Sequence, residues 1–153
     1  MLSSSSPSTL EAHLGYWLRM VSNGVSLSFA RKVECEGVTV AEWVFLRALY
    51  DTGSVAPSQL ADRMAMTKGA ISKLADRLLE KSLIERRANP ADRRAHTLAL
   101  NRESRELVPR LAALADENDE EFFGALAPDE RQRFEQLLRK IAEERELTSV
   151  PVD

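Results

Sequence analysis

A chain of 153 residues that is 44% hydrophobic holds enough apolar surface for one or two small cores in a single unit. Its 21 Lys and Arg against 24 Asp and Glu give a net charge of −3, which argues against indiscriminate coating of nucleic acid. A single cysteine, Cys35, excludes an internal disulfide framework, and no uncharged apolar run is long enough to span a bilayer. With no basic-then-apolar leader at Met1 to Pro7, the expectation is a soluble cytoplasmic protein.

Residues 1–8 are rich in Ser and Pro and read as a flexible tail. A long helix is expected from Thr9, its cap, to Val33 or Glu34. Leu14, Trp17, Leu18, Val21, Val25 and Phe29 form its apolar stripe. Cys35-Glu36-Gly37 breaks it. Thr39 followed three residues later by Glu42 is a capping box, opening a helix that carries Trp43, Phe45, Leu46 and Leu49 and stops at Asp51-Thr52-Gly53. Ser54-Val55-Ala56 reads as a short extended piece able to pair with a later hairpin.

The stretch from Pro57 to Leu100 organises the rest. A short helix over Ser58–Met64 and a second over 68–81 are joined by Ala65-Met66-Thr67. Leu60, Ala61, Met64, Ile71, Leu74 and Leu78 fall at helical spacing, so the two helices share one small core and cross steeply, as in a helix-turn-helix. Leu83 to Arg87 and Ala95 to Leu100 then read as two strands around the tip Asn89-Pro90-Ala91-Asp92-Arg93-Arg94. The expected fold is mainly α with a small β-hairpin wing: a winged helix-turn-helix DNA-binding domain over 38–101. Charge agrees locally, because residues 62–102 carry ten basic and five acidic side chains, whereas residues 103–153 carry seven and fourteen. Attraction to phosphate is local at physiological screening lengths.

After the wing, Asn101 caps a helix expected over Arg102 to Leu126, with Leu107, Leu111, Leu114, Phe122 and Leu126 apolar and Asn118 on the same stripe. Pro109 either kinks it or marks its first turn. Ala127-Pro128-Asp129-Glu130 restarts a helix with an apolar face of Phe134, Leu137, Leu138 and Ile141. A loose tail is expected over 148–153. The first and last helices carry more apolar surface than a small winged domain covers. Burial against a second copy, giving a homodimer through residues 9–35 and 102–147, is favoured over folding back as a monomer.

The order of these parts resembles the MarR family of bacterial transcriptional regulators. The resemblance is carried by Ser58-Gln59-Leu60-Ala61, Ile71-Ser72-Lys73-Leu74 and Asp76-Arg77-Leu78-Leu79-Glu80-Lys81. Its most specific part is Leu83-Ile84-Glu85-Arg86, then Pro90-Ala91-Asp92-Arg93-Arg94 and Leu98-Ala99-Leu100. It implies a dimer made by the first and last helices, operator binding through helix and wing, and control by a small ligand or oxidant. The chain departs from the family pattern at Ser82, where Gly is common, and at Asn101 in place of Thr.

With Ile71, Leu74 and Leu78 inward, Lys68, Gly69, Ser72 and Lys73 face out, and Thr67, Ala70 and Arg77 complete the helix's expected DNA surface. Ser58 and Gln59 open the preceding helix, where backbone amides can hold a phosphate. Arg93 or Arg94 is the expected insertion into a narrow minor groove, with Asp92 pairing to Arg94, and one of Arg86 and Arg87 reaches the backbone. The resemblance would place a ligand site between the dimer helices and the winged domain; the candidate residues are His13, Trp17 and Met20 on the first helix and Trp43 and Arg47 on the second, with an anionic aromatic molecule as occupant. The competing view is that Trp17 and Trp43 are core. Two histidines in separate elements, one cysteine and no Gly-rich phosphate loop leave little for an enzyme, a metal or a cofactor. The reading is a transcriptional regulator, expected to repress, that binds inverted-repeat double-stranded DNA as a homodimer, with a possible small-molecule effector. The alternatives are a winged protein-interaction module and a thiol sensor through Cys35.

Overall fold

The computed structural model describes residues 6–148, so most of each expected tail, 1–5 and 149–153, lies outside the described residues. Six helices and one hairpin follow in order: α1 (Leu14–Glu34), α2 (Val40–Tyr50), α3 (Pro57–Met64), α4 (Lys68–Glu80), β1 (Ile84–Asn89), β2 (Asp92–Leu100), α5 (Arg102–Phe123) and α6 (Pro128–Glu144). The mainly α fold with a hairpin wing is as the periodicity predicts.

The start of the first long helix and the end of the helix after the wing differ from expectation. Thr9 does not cap a long helix: Leu10–Ala12 form one 3-10 turn, and extended backbone at His13 separates it from α1. No side chain caps the start of α1, so composition held no signal there. At the other end of the fold, α5 stops at Phe123 with Gly124 as its cap, which leaves Leu126 half-buried in the turn before α6 rather than on a helix stripe. Pro109 lies inside α5, well beyond its first turn, and the helix runs through it.

The core sits beneath the winged unit. Phe45, Leu46 and Leu49 of α2 meet Leu60 of α3, Ile71, Leu74 and Leu78 of α4, the strand residues Ile84, Leu98 and Leu100, and Leu107, Val108 and Leu111 of α5. Val55 pairs with Leu98 in a short bridge, as its extended reading expects. The capping box at Thr39 and Glu42 forms, with the Glu42 backbone N–H donating to Thr39 Oγ1 at 3.1 Å. From α1 only Val33 is fully buried. Leu14, Trp17, Leu18, Met20, Val21 and Leu27 are exposed, as are Leu137, Leu138 and Ile141 of α6.

Phe45 is inaccessible to solvent at the centre of this core. Phe45→Ala is expected to lower unfolding free energy by about 3–5 kcal/mol in urea titration at fixed protein concentration, through lost burial and the cavity left behind. A loss under 1 kcal/mol would mean the site collapses around the gap.

The α1–α5 contact is polar at its centre. Asn118, almost fully buried, donates to the Val25 carbonyl at 3.1 Å and accepts from Lys32 Nζ at 3.0 Å; the same ammonium reaches Ser28 and Glu121. Buried amides need such partners, and Asn118 therefore fixes how α1 lies on α5.

Candidate nucleic-acid interface

The turn between α3 and α4 is made by Ala65 in the left-handed conformation at φ +51, followed by a Met66 N–H bond to the Ala61 carbonyl at 3.0 Å. Thr67 then caps α4, its hydroxyl oxygen accepting from the Ala70 backbone N–H at 3.1 Å. The cap role takes up this oxygen lone pair and leaves the Thr67 hydroxyl hydrogen free to donate. Because Ile71, Leu74, Ala75 and Leu78 are buried, Lys68, Gly69, Ser72, Lys73, Asp76 and Arg77 are exposed and Ala70 is half-buried. At 100° per residue, Gly69, Ser72, Lys73 and Asp76 centre the outward face, while Ala70 and Arg77 turn to its flank.

On that flank lies a cleft of about 1460 Å³ between α1, α2, the end of α3 with its turn, α4 and α5. Trp43, Arg47, Lys73 and Arg77 all line it, so Lys73 belongs to the outward face and the cleft at once. Of the residues expected to hold a ligand, the structure brings Trp43 and Arg47 together here. Trp17 and Met20, on the exposed N-terminal half of α1, and His13, in the extended residue before it, lie outside the cleft. Trp17 stacks edge-on to Tyr16 at 5.5 Å, and Trp43 edge-on to Phe29 at 6.4 Å, so the two indoles do not face each other within the chain. Arg47 pairs with Asp51 at 2.7 Å and stands over the Tyr50 ring at 5.7 Å.

Ser58 and Gln59 are exposed in the first turn of α3 behind Pro57. The wing strands pair antiparallel from Ile84 with Leu100 to Ala88 with His96, and then the register shifts so that Asn89 faces Asp92. The shift leaves residues 93–95 out of the ladder, which puts the backbone of Arg93 and Arg94 in a bulge at the tip. The side chain of Arg93 lies outside the described residues. Asp92 does not pair with the Arg94 guanidinium; its carboxylate accepts the Arg94 backbone N–H at 3.0 Å, while Asn89 accepts from Ala91 in the same way. These short side-chain-to-backbone bonds shape the tip and leave the Arg94 side chain exposed. Arg86 leans onto Asp76 of α4 at 3.4 Å and Arg87 onto Glu85 at 2.7 Å. Spacing alone did not reveal the Asp76–Arg86 link between helix and wing. Cys35 is exposed at the end of α1.

The sequence profile described as the MarR family matches residues 36–95, the whole helix-turn-helix and most of the wing. The transcriptional regulator HosA of Escherichia coli O111:H- is 28% identical over 108 residues, covering 71% of this chain and 80% of that protein. The HTH-type transcriptional repressor MdtR of Bacillus subtilis is 41% identical over 71 residues, 46% of each chain. Among solved structures, Bordetella bronchiseptica BpsR, described as regulated in DNA binding by 6-hydroxynicotinic acid, superposes with a TM-score of 0.74 at 27% identity, covering 90% of this chain and 98% of that one. Over the helix pair and the wing, the chain is thus similar to the MarR family of transcriptional regulators.

Proposed function

We propose that this regulator is a homodimeric repressor that reads an inverted repeat, with α4 in the major groove and the wing tip in the flanking minor groove. The observation that carries this reading is the excess of basic side chains in residues 62–102 on an otherwise acidic chain, exposed along α4 and the wing. Lys68, Gly69, Ser72 and Lys73 address base edges and phosphates, Ser58 and Gln59 hold a phosphate at the start of α3, and Arg93 and Arg94 enter the minor groove. Arg86, held by Asp76, and Arg87 flank the backbone. The exposed apolar faces of α1 and α6 are the dimer surface, which supports 9–35 and 102–147 as the dimerisation region and 38–101 as the DNA-binding one. Repression is supported by the similarity to MdtR, a transcriptional repressor.

A small anionic aromatic effector in the cleft is supported by Trp43, Arg47 and Arg77 along its wall and by the regulation of BpsR by 6-hydroxynicotinic acid. Such a ligand releases DNA if it prefers a different separation of the two recognition helices, by the reciprocity of linked equilibria.

Selection from a random duplex library tests the DNA reading. The wild type should enrich one short inverted repeat, and Arg93→Ala with Arg94→Ala should lose affinity for it by about 10-fold or more, as removal of minor-groove arginines implies. Enrichment of nothing at low salt would leave a winged module that binds protein instead.

A further inference from the structure

Behind the outward face of α4, several helix ends meet at one polar junction. Glu42, in the first turn of α2, has a side chain only 2% exposed. Its Oε2 accepts from Lys81 Nζ at 2.7 Å and from the Thr39 backbone N–H at 3.4 Å. The same Lys81 ammonium donates to the Gly37 carbonyl at 2.9 Å. Lys81 is the cap residue of α4, and Gly37, at φ +82, closes the turn after α1. One ammonium therefore joins the end of α1, the start of α2 and the end of the recognition helix. Next to it, Ser82 holds a left-handed turn at φ +57, and its carbonyl accepts from the amide of Asn101, the cap of α5. Arg110 of α5 approaches Glu36 of the same α1–α2 turn at 3.7 Å.

We propose that Lys81 and Glu42 are positioning residues for sequence reading: they fix the end of α4 against the α1–α2 turn and so convert the placement of α1 into the angle of the recognition helix. The proposal rests on the DNA-binding reading above. Stability alone does not account for the pair, because desolvation of the buried Glu42 carboxylate offsets much of its attraction to Lys81, whose side chain stays 39% exposed and solvent-screened. Direction is what the pair adds. A carboxylate held from two elements and an ammonium shared by three admit one arrangement of the helix ends, whereas apolar contact admits many. A slightly displaced α4 loses base-edge hydrogen bonds first, since these are geometrically strict, while phosphate contacts on long side chains follow the movement.

The test compares wild type, Lys81→Arg and the double variant Glu42→Gln with Lys81→Met, which removes both charges and keeps an acceptor for the Thr39 N–H. Each is titrated with the selected inverted-repeat duplex and with a scrambled duplex across a NaCl series. The double variant should melt near the wild type, bind the selected duplex on the order of 10-fold more weakly, and bind the scrambled duplex as the wild type does. Its salt slope should be unchanged, and Lys81→Arg should keep most of the specific affinity. Lys81→Gln, which retains a donor toward Glu42, gives the same readout in a milder background if the double variant is unfolded. Equal loss on both duplexes with a slope lower by about 0.9 per contact would make Lys81 a phosphate ligand and overturn the positioning role. Unchanged specific affinity would overturn it too. A wild type that does not distinguish the two duplexes would overturn the DNA reading itself.

Discussion

Raising NaCl from 50 to 200 mM is expected to weaken binding to the selected duplex by on the order of 10³-fold, followed by fluorescence anisotropy at constant pH. The net charge of the chain is −3, so this steepness has to come from the few cations that stand clear of acidic neighbours. Lys68, Lys73 and Arg94 are exposed, and among the described residues none has a carboxylate within salt-bridge distance. Two copies of this set, with Arg94 acting on the phosphates that flank the minor groove, supply the six contacts that such a slope requires. Lys73→Ala and Arg94→Ala should each flatten the slope by about 1.8 in a dimer, one contact per protomer, at about 0.9 per contact. Arg139→Ala on α6, whose guanidinium already faces Glu135 at 2.8 Å, should leave it alone. A slope near zero for the wild type would rule out a phosphate-binding surface on α4 and the wing.

The second large effect concerns assembly. Leu18→Asp with Ile141→Asp is expected to sediment as a 17.1 kDa monomer at micromolar concentration, and the wild type at twice that mass. Leu18 is 52% exposed and Ile141 56% exposed, so carboxylates at these positions disturb no internal core, and the circular dichroism should stay that of the wild type. In a dimer the same carboxylates would sit in apolar contact without partners, a cost of several kcal/mol for each buried charge. Affinity for the inverted repeat should fall by about 10²-fold or more, because a second half-site is no longer held near by its tethered twin. A double variant that stays dimeric would move the dimer surface elsewhere.

What the sequence made legible was local. Thr39 and Glu42 lie three residues apart, so their capping box follows from spacing, and the buried stripe of α4 follows from a period of 3.6. Val55 announced its bridge by extended, apolar character beside Pro57. Contacts between distant positions were not legible. Glu42 and Lys81 are 39 residues apart, and Lys32 and Asn118 are 86 apart. No periodicity links either pair; only the fold brings them together. At the site, the outward residues of α4 were readable from which neighbours must be buried. That Asp92 spends its carboxylate on a backbone N–H was not, since Asx bonds and ion pairs compete at the same spacing.

Ser82 and Asn101 show how such long-range contacts constrain the order in which mutations can accumulate. Ser82 supplies the left-handed residue after α4, with its N–H on the Leu79 carbonyl and the Leu83 N–H on the Leu78 carbonyl. A side chain in that conformation costs about 1 kcal/mol that glycine does not. Asn101 meanwhile caps α5 through the Ser104 N–H at 3.0 Å and also braces the Ser82 carbonyl. Replacing Asn101 first with a non-capping residue removes a cap worth about 1 kcal/mol while the strain at Ser82 persists. Replacing Ser82 with glycine first relieves that strain, and the later loss at Asn101 then falls on a more stable chain. Neutral drift is therefore permissive in one direction: position 82 opens the route, and position 101 follows.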